Sequence, residues 1–428
     1  MARVNPVYTL KPNEATAAGR KKKFEGIANS EYKTTSDSPT HFFPENDSVR
    51  TDGVLTVSRE AKEASLYPQW LPTWNPELKF VDEPAFNHVD RGFFADPELR
   101  RLFPQNGKHD IKKLTPKFGS VVEGIQLSEL SNDQKDDLAL FVAQRGVVVF
   151  RDQNLKDKSL SEVKKFGQHF GPLHIHQTSG APEGHPEFHI SYKRSGRTRS
   201  FEKKVSAMTW HSDVTYELQP PGTTFFGILE GPESGGDTAF ADTIEAYERL
   251  SPTFQNFLSG LRLIHSAKAQ AEDSLARGSI QRKKFTSENV HPLVRYHPVL
   301  GKKSIFAKAF GTRIIGLKQE ESDLILQFIE NHIATALDLQ LRASYEPGTV
   351  VAWDNRRALH SALFDFLPVD SVRHCFRITP IAERPVGSRE EYENWSPSNE
   401  ERTVEEWEQL YQNGIPGSEI LANPHSVK

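Results

Sequence analysis

The chain is expected to be an α+β protein built on a double-stranded β-helix, or jelly roll, with helices packed outside it. Two observations lead there. Short apolar runs of strand length recur between Gly- and Pro-rich turns through the middle of the chain, and a few amphipathic stretches with capping signals stand between them. No internal repeat of fixed period is visible.

Taken in order, residues 1–112 read as an N-terminal extension. The first sixty are rich in Lys, Glu, Ser, Thr, Asn and Pro without a sustained apolar period, so loose order is expected. Within them, Arg20-Lys21-Lys22-Lys23 reads as a solvated basic tail. Tyr67-Pro68-Gln69-Trp70-Leu71-Pro72-Thr73-Trp74 differs: aromatics between prolines suggest an extended arm packed on the main body or on a neighbouring subunit.

Residues 113–386 form the main domain. Ser131 and Gln134 make a capping box, Leu138, Phe141 and Val142 an apolar stripe, and Gly146 a helix stop. Val147 to Phe150 reads as a buried strand, and a second helix carries Leu160, Val163, Phe166 and Phe170 before Gly171-Pro172. Further on, Thr223 to Leu229 is strand-like, Ser251-Pro252 opens a helix, and His291 to Tyr296 and Ser304 to Phe310 suggest strands around a turn at Gly301. Ser322 to His332 is an amphipathic helix, and Val350 to Trp353 and Arg373 to Ile378 are strand candidates. Residues 387–428 form a polar tail with one short helix capped by Thr403 and Glu406, assigned to packing or oligomer contact.

Bulk properties narrow the function. A net charge of -4 argues against a general nucleic-acid binder. No apolar run approaches a membrane span and no secretory leader is apparent, so a cytoplasmic protein is expected. The single Cys375 excludes an intramolecular disulfide framework and a Cys-based zinc module. Any metal must therefore be held by His, Asp and Glu.

The chemistry centres on Thr209-Trp210-His211-Ser212-Asp213-Val214. If this segment is extended, His211 and Asp213 point to the same side and offer an imidazole and a carboxylate to one cation. Two His and one carboxylate with open positions opposite suit a non-haem Fe(II) oxygenase. The dipeptide spacing alone is weak, since His88-Val89-Asp90 repeats it. Context separates the two: only Asp213 is followed by Pro220-Pro221-Gly222, a strand, and the Gly235-Gly236-Asp237-Thr238 turn, so His88 reads as an ordinary surface or turn residue.

The run from Trp210 to Thr238 resembles the iron- and 2-oxoglutarate-dependent taurine dioxygenases of the TauD/TfdA type, and the likeness extends from about Leu114 to Pro385. The resemblance implies a third metal ligand at His360, which follows Trp353-Asp354-Asn355-Arg356-Arg357. It also implies that Arg373, assisted by Thr238, holds the distal carboxylate of 2-oxoglutarate. Arg377, His176 and the backbone of Val214 would face the sulfonate. Fe(II), 2-oxoglutarate and dioxygen are the implied cofactor and co-substrates. The implied reaction hydroxylates the carbon bearing a sulfonate, yielding sulfite, an aldehyde, succinate and CO2. Ser179 and Ala207 depart from the Tyr and Asn that taurine dioxygenases place near the substrate amine, which puts taurine itself in doubt. The basic run Lys193 to Lys204 reads as a solvated loop or a lid. Expected partners are a small anionic substrate and, through the arm or tail, a second copy of the chain in a homo-oligomer, with no nucleic acid and no membrane. Sulfate esters, aryloxyalkanoates or purines are alternative substrates in the same family, and a non-catalytic metal- or 2-oxoglutarate-binding protein is the alternative of another class.

Overall fold

The structure is a computed structural model that describes residues 7–9, 47–194, 209–276, 280–283, 288–366, 372–399 and 401–416. The basic tail at 20–23, Ala207 and the basic run from 195 onward lie outside those residues. Ten strands carry the architecture: β1 (Asp110–Lys113), β2 (Ser120–Glu123), β3 (Val147–Phe150), β4 (His189–Arg194), β5 (Thr223–Glu230), β6 (Thr238–Asp242), β7 (Gln340–Ala343), β8 (Val350–Asp354), β9 (Ala358–Ala362) and β10 (Val372–Ile378). Seven of them form one sheet in the order β1-β2-β3-β8-β5-β10-β4, and three form a second in the order β7-β6-β9. The sheets pack face to face. Val147, Val149, Val351 and Trp353 of the larger share one apolar cluster with Phe240, Leu341, Ala343 and Ala358 of the smaller.

The opposite face of the large sheet is covered by helices α1 (Asn132–Arg145) and α2 (Leu160–Gln168). The first begins at the capping box of Ser131 with Gln134 that the sequence predicts, and the second at a further box, Ser159 with Glu162, that the sequence reading did not mark. Gly146, at φ 72, turns the chain from α1 directly into β3; added side-chain bulk there would strike the Phe118 ring. Leu138, Val142, Val163 and Phe166 of the two helices meet Val148, Phe150, Phe225, Phe376 and Ile378 of the sheet. Because β3 and β8 are buried on both faces, their sequences are continuous apolar runs.

The aromatic arm packs on the body of the same chain. Trp70 is fully buried, stacks on Phe376 at 4.6 Å and meets Phe188 edge-on at 5.4 Å. The Trp70 carbonyl lies 3.2 Å from His374 Nε2, and Trp74 Nε1 donates to Thr178 O at 3.0 Å. Both contacts bear on elements that carry the site, since His374 lies in β10 and Thr178 follows His176. At the other end, Trp407 and Tyr411 of the Val404–Tyr411 helix pack on Ile264, Val290 and Ile315.

Two local expectations fail. The His291 to Tyr296 run is two strands in different sheets, Glu288–Pro292 and Val294–His297, split where Pro292 can offer no ladder N–H. The Ser304 to Phe310 run ends as a strand at Ile305, where Phe306 N donates to Leu293 O instead. Among the described residues no helix is long and apolar enough to cross a membrane.

A buried ionic lattice ties these layers together. Arg356 donates to Asp354 at 2.8 and 2.6 Å, to Asp90 at 2.6 Å and to Glu383 at 3.3 Å, while Arg295 donates to Glu383 at 2.8 Å. Asp90 is buried: it caps the short Arg91–Phe94 turn and grips Arg356 from the arm side. Burial alone would raise the Glu383 carboxyl, but Arg356 and Arg295 overcome it and hold it down at about 2, from an ordinary value of 4.5. Its stabilising contribution is complete above 4.5 and is lost as pH falls toward 2. Glu383→Gln should therefore cost roughly 3 kcal/mol near neutral pH, with the deficit shrinking as pH falls below 4.5. Denaturant unfolding at neutral and acid pH measures this, and a deficit independent of pH would contradict it.

Candidate functional site

His211 and His360 form an isolated antiparallel bridge: His211 N donates to His360 O at 3.0 Å and His360 N to His211 O at 2.8 Å. His360 belongs to β9, opposite Phe240 of β6, so the small sheet fixes its height and facing. The two rings stand 4.1 Å apart between centroids, with Trp353 at 4.9 Å from the His360 ring. Asp213 does not continue a strand, contrary to the extended segment the sequence suggests. It begins a turn in which Val214 takes φ 41 and Glu217 N donates to Val214 O. A β-branched residue in that region is strained. The turn is held from several sides: Asn289 donates to Tyr216 O, Thr215 Oγ1 pairs with His265, and Glu217 pairs with His174 and Lys283. Its outcome is the one the extended reading sought, with Asp213 Oδ1 at 4.0 Å from His211 Nε2 and 3.6 Å from His360 Nε2.

These three side chains fit a metal ion. Their ligand atoms all lie within 4.8 Å of one another, and Asp213 Oδ2 is buried without a partner among the described residues. The Thr209 carbonyl, which can only accept, lies 2.9 Å from His211 Nδ1, so that nitrogen carries the proton and Nε2 keeps its lone pair. Burial holds both imidazoles below the usual histidine range. Burial pushes the Asp213 carboxyl up, but the Arg377 guanidinium, the largest opposing influence, keeps it ionised. Two neutral imidazoles and a carboxylate are the donor set suited to Fe(II). A second cluster, His88 with Asp90 and Glu383, has comparable spacing, but its carboxylates already face Arg356 and Arg295.

Of the remaining expected residues, Arg373 and Arg377 come from the large sheet, Thr238 from the small one, and His176 and Val214 from loop and turn. Arg377 of β10 donates to Asp213 Oδ1 at 2.6 Å and lies 2.8 Å from His189 Nδ1. His176 is buried, with Nδ1 accepting from the backbone N–H groups of Thr178 and Ser179. No acceptor for the Val214 N–H lies among the described residues. Arg373, four residues before Arg377 on the same face, donates from Nε to Gly236 O at 3.0 Å. Its guanidinium sits 5.4 Å over the Phe226 ring and 5.6 Å over Tyr345, whose hydroxyl pairs with Thr238 Oγ1 at 2.7 Å. Thus Arg373 and Thr238 meet through Tyr345, away from Arg377, and the site has two cationic ends.

Three residues here escaped the sequence reading. Tyr345 and His189 belong to no recognisable motif. Asn355 sits in the quoted Trp353 to Arg357 run but was given no role. Its Oδ1 accepts from Asp213 N at 3.2 Å and from Trp353 Nε1 at 3.0 Å, and its Nδ2 donates to Gly222 O and Thr224. It is the rigid post against which the Asp213 turn is set. Asn355→Ala should weaken Fe(II) binding about 10- to 100-fold with the fold retained, measured by anaerobic metal titration and circular dichroism. Unchanged affinity would show that the turn holds itself.

Residues 110–379 match the family described as taurine catabolism dioxygenase TauD, TfdA. The chain is 48% identical to the alpha-ketoglutarate-dependent sulfonate dioxygenase of Saccharomyces cerevisiae, over 84% of this chain and 89% of that protein. It is 39% identical to the alpha-ketoglutarate-dependent dioxygenase cnsP of Penicillium expansum, over 80% of this chain and 93% of the relative. The crystal structure of a taurine dioxygenase from Burkholderia xenovorans superposes with a TM-score of 0.53 at 28% identity, covering 65% of this chain and 93% of its own.

Proposed function

The chain belongs to the taurine catabolism dioxygenase TauD, TfdA family, and from that premise we propose that it is an Fe(II)- and 2-oxoglutarate-dependent sulfonate dioxygenase. It works on a small anionic substrate in the cytoplasm, and its two facing sheets are read as a double-stranded β-helix. The observation that carries the proposal is the pairing of a two-His, one-carboxylate cluster with two separate arginine ends. A structural metal alone gives no reason for either arginine.

In this reading His211, Asp213 and His360 hold the iron, which with 2-oxoglutarate and dioxygen supplies the oxidising power to hydroxylate a C–H bond while the keto acid leaves as succinate and CO2. The chain's own residues decide which bond is exposed. Arg373 and Thr238 take the distal carboxylate of 2-oxoglutarate through a guanidinium fork and a hydroxyl. Arg377, His176 and the backbone of Val214 take the sulfonate, so that the carbon bearing it faces the metal position. Once that carbon carries a hydroxyl, loss of the hydroxyl proton and cleavage of the C–S bond give an aldehyde and sulfite. Trp353 and Phe240, flanking His360, wall the site with groups that exclude water.

Sulfite and succinate should appear in equal amounts from simple alkyl sulfonates, and taurine should have no advantage over ethanesulfonate or butane-1-sulfonate. A strict preference for taurine contradicts the specificity, and release of sulfate from alkyl sulfate esters alone would move the assignment to those esters. Arg373→Ala should raise the KM for 2-oxoglutarate by about 100-fold and that for the sulfonate far less, as expected for loss of one charge-assisted anion contact. Equal effects on both would contradict the division between the two arginines.

A further inference from the structure

The Arg377 end of the site holds a histidine that no motif singles out. His189 opens β4 directly opposite Arg377 in the β4–β10 ladder. Residues so paired put their side chains on one face, so the register itself delivers the imidazole to the guanidinium, with Arg377 Nη2 at 2.8 Å from His189 Nδ1. A guanidinium only donates, so His189 Nδ1 is an acceptor and the neutral ring carries its proton on Nε2. The Ser179 hydroxyl, fully buried, lies 2.9 Å from the same Nδ1 and at a longer 3.5 Å from Nε2.

His176 stands edge-on to His189, 4.9 Å between centroids. Its Nδ1 accepts two backbone N–H groups, so its proton is also on Nε2. The arrangement is the reverse of His211, where Nδ1 is protonated and Nε2 is the lone pair. Two neutral imidazoles that donate from Nε2, beside a guanidinium whose Nε is buried without a partner among the described residues, make a corner of N–H donors. Tetrahedral oxyanions, with several acceptor oxygens, are what such a corner recognises.

We propose that His189 is a positioning and specificity-determining residue for the substrate's oxyanion head group, fixing the orientation of Arg377 through Nδ1 and offering its own Nε2–H to a head-group oxygen. The inference rests on the sulfonate reading above and assigns the residue that sets its head-group selectivity. Ser179 supports the ring and leaves its hydroxyl engaged there.

The test uses the full chain as wild type, His189→Ala and His189→Gln, each loaded anaerobically with Fe(II) and 2-oxoglutarate and titrated with butane-1-sulfonate while the visible charge-transfer absorbance is followed. His189→Ala should weaken sulfonate binding about tenfold or more and leave 2-oxoglutarate affinity within about twofold. His189→Gln, which retains one acceptor for Arg377 and one N–H donor, should recover most of the loss. Wild-type sulfonate affinity in His189→Ala, or no recovery in His189→Gln, overturns the assignment. A wild-type protein that binds no sulfonate overturns the functional reading and this inference with it, and is recognised because the failure precedes any substitution.

Discussion

The site depends on two reciprocal backbone hydrogen bonds between His211 and His360. Side-chain rotamers can adjust, but a ring separation of 4.1 Å between segments so distant in sequence requires the main chains themselves to be clamped. The clamp is reinforced on both flanks. Thr209 N donates to the Ser361 hydroxyl on one side, and Asp213 N donates to Asn355 on the other. His360 is in turn fixed by the β6–β9 ladder, whose next residue toward the turn, Ser361, pairs with Ala239. Each ligand is thus positioned by hydrogen-bonded backbone, the least compliant element available.

Around that clamp the two sheets divide the electrostatics. The small sheet and the segment before it contribute the metal ligands and Thr238, and β10 of the large sheet contributes both arginines. Arg377 keeps Asp213 ionised where burial would otherwise favour its neutral form, while burial keeps the histidines uncharged. Charge is therefore concentrated on one carboxylate and two guanidiniums, and the imidazoles act through lone pairs or N–H groups according to what holds their Nδ1. The arm bears on the same strand from behind, since Trp70 stacks on Phe376 and its carbonyl meets His374. The ionic lattice around Arg356 adjoins Asn355, so the scaffold beneath the ligand turn is itself buried and hydrogen-bonded.

Much of this was legible in the residues because the signals were local. The capping box at Ser131, the stop at Gly146 and the apolar runs of β3 and β8 each specify their element within a few positions. His360 was legible only through its likeness to a family segment, because its partner is set by a bridge that no spacing reveals. Strand β6 carried no clear alternation because it is buried throughout, and β7 alternates over only four residues, too few to stand out, so both passed unnoticed. The turn at Asp213 was misread as extended because Val214, a residue favouring strands, is forced to positive φ by tertiary hydrogen bonds. Asp90 was given no role of its own because its partner, Arg356, lies far along the chain. His189 gains its meaning only from the β4–β10 register.

The central claim is that His211, Asp213 and His360 converge on one iron beside which 2-oxoglutarate is held. Its most direct test is anaerobic titration of the metal-free protein with Fe(II) in the presence of 2-oxoglutarate, following the visible charge-transfer absorbance in wild type and in His360→Ala. The account predicts saturation at one iron per chain for the wild type and no band for the variant. The same band at the same stoichiometry in both proteins would contradict it.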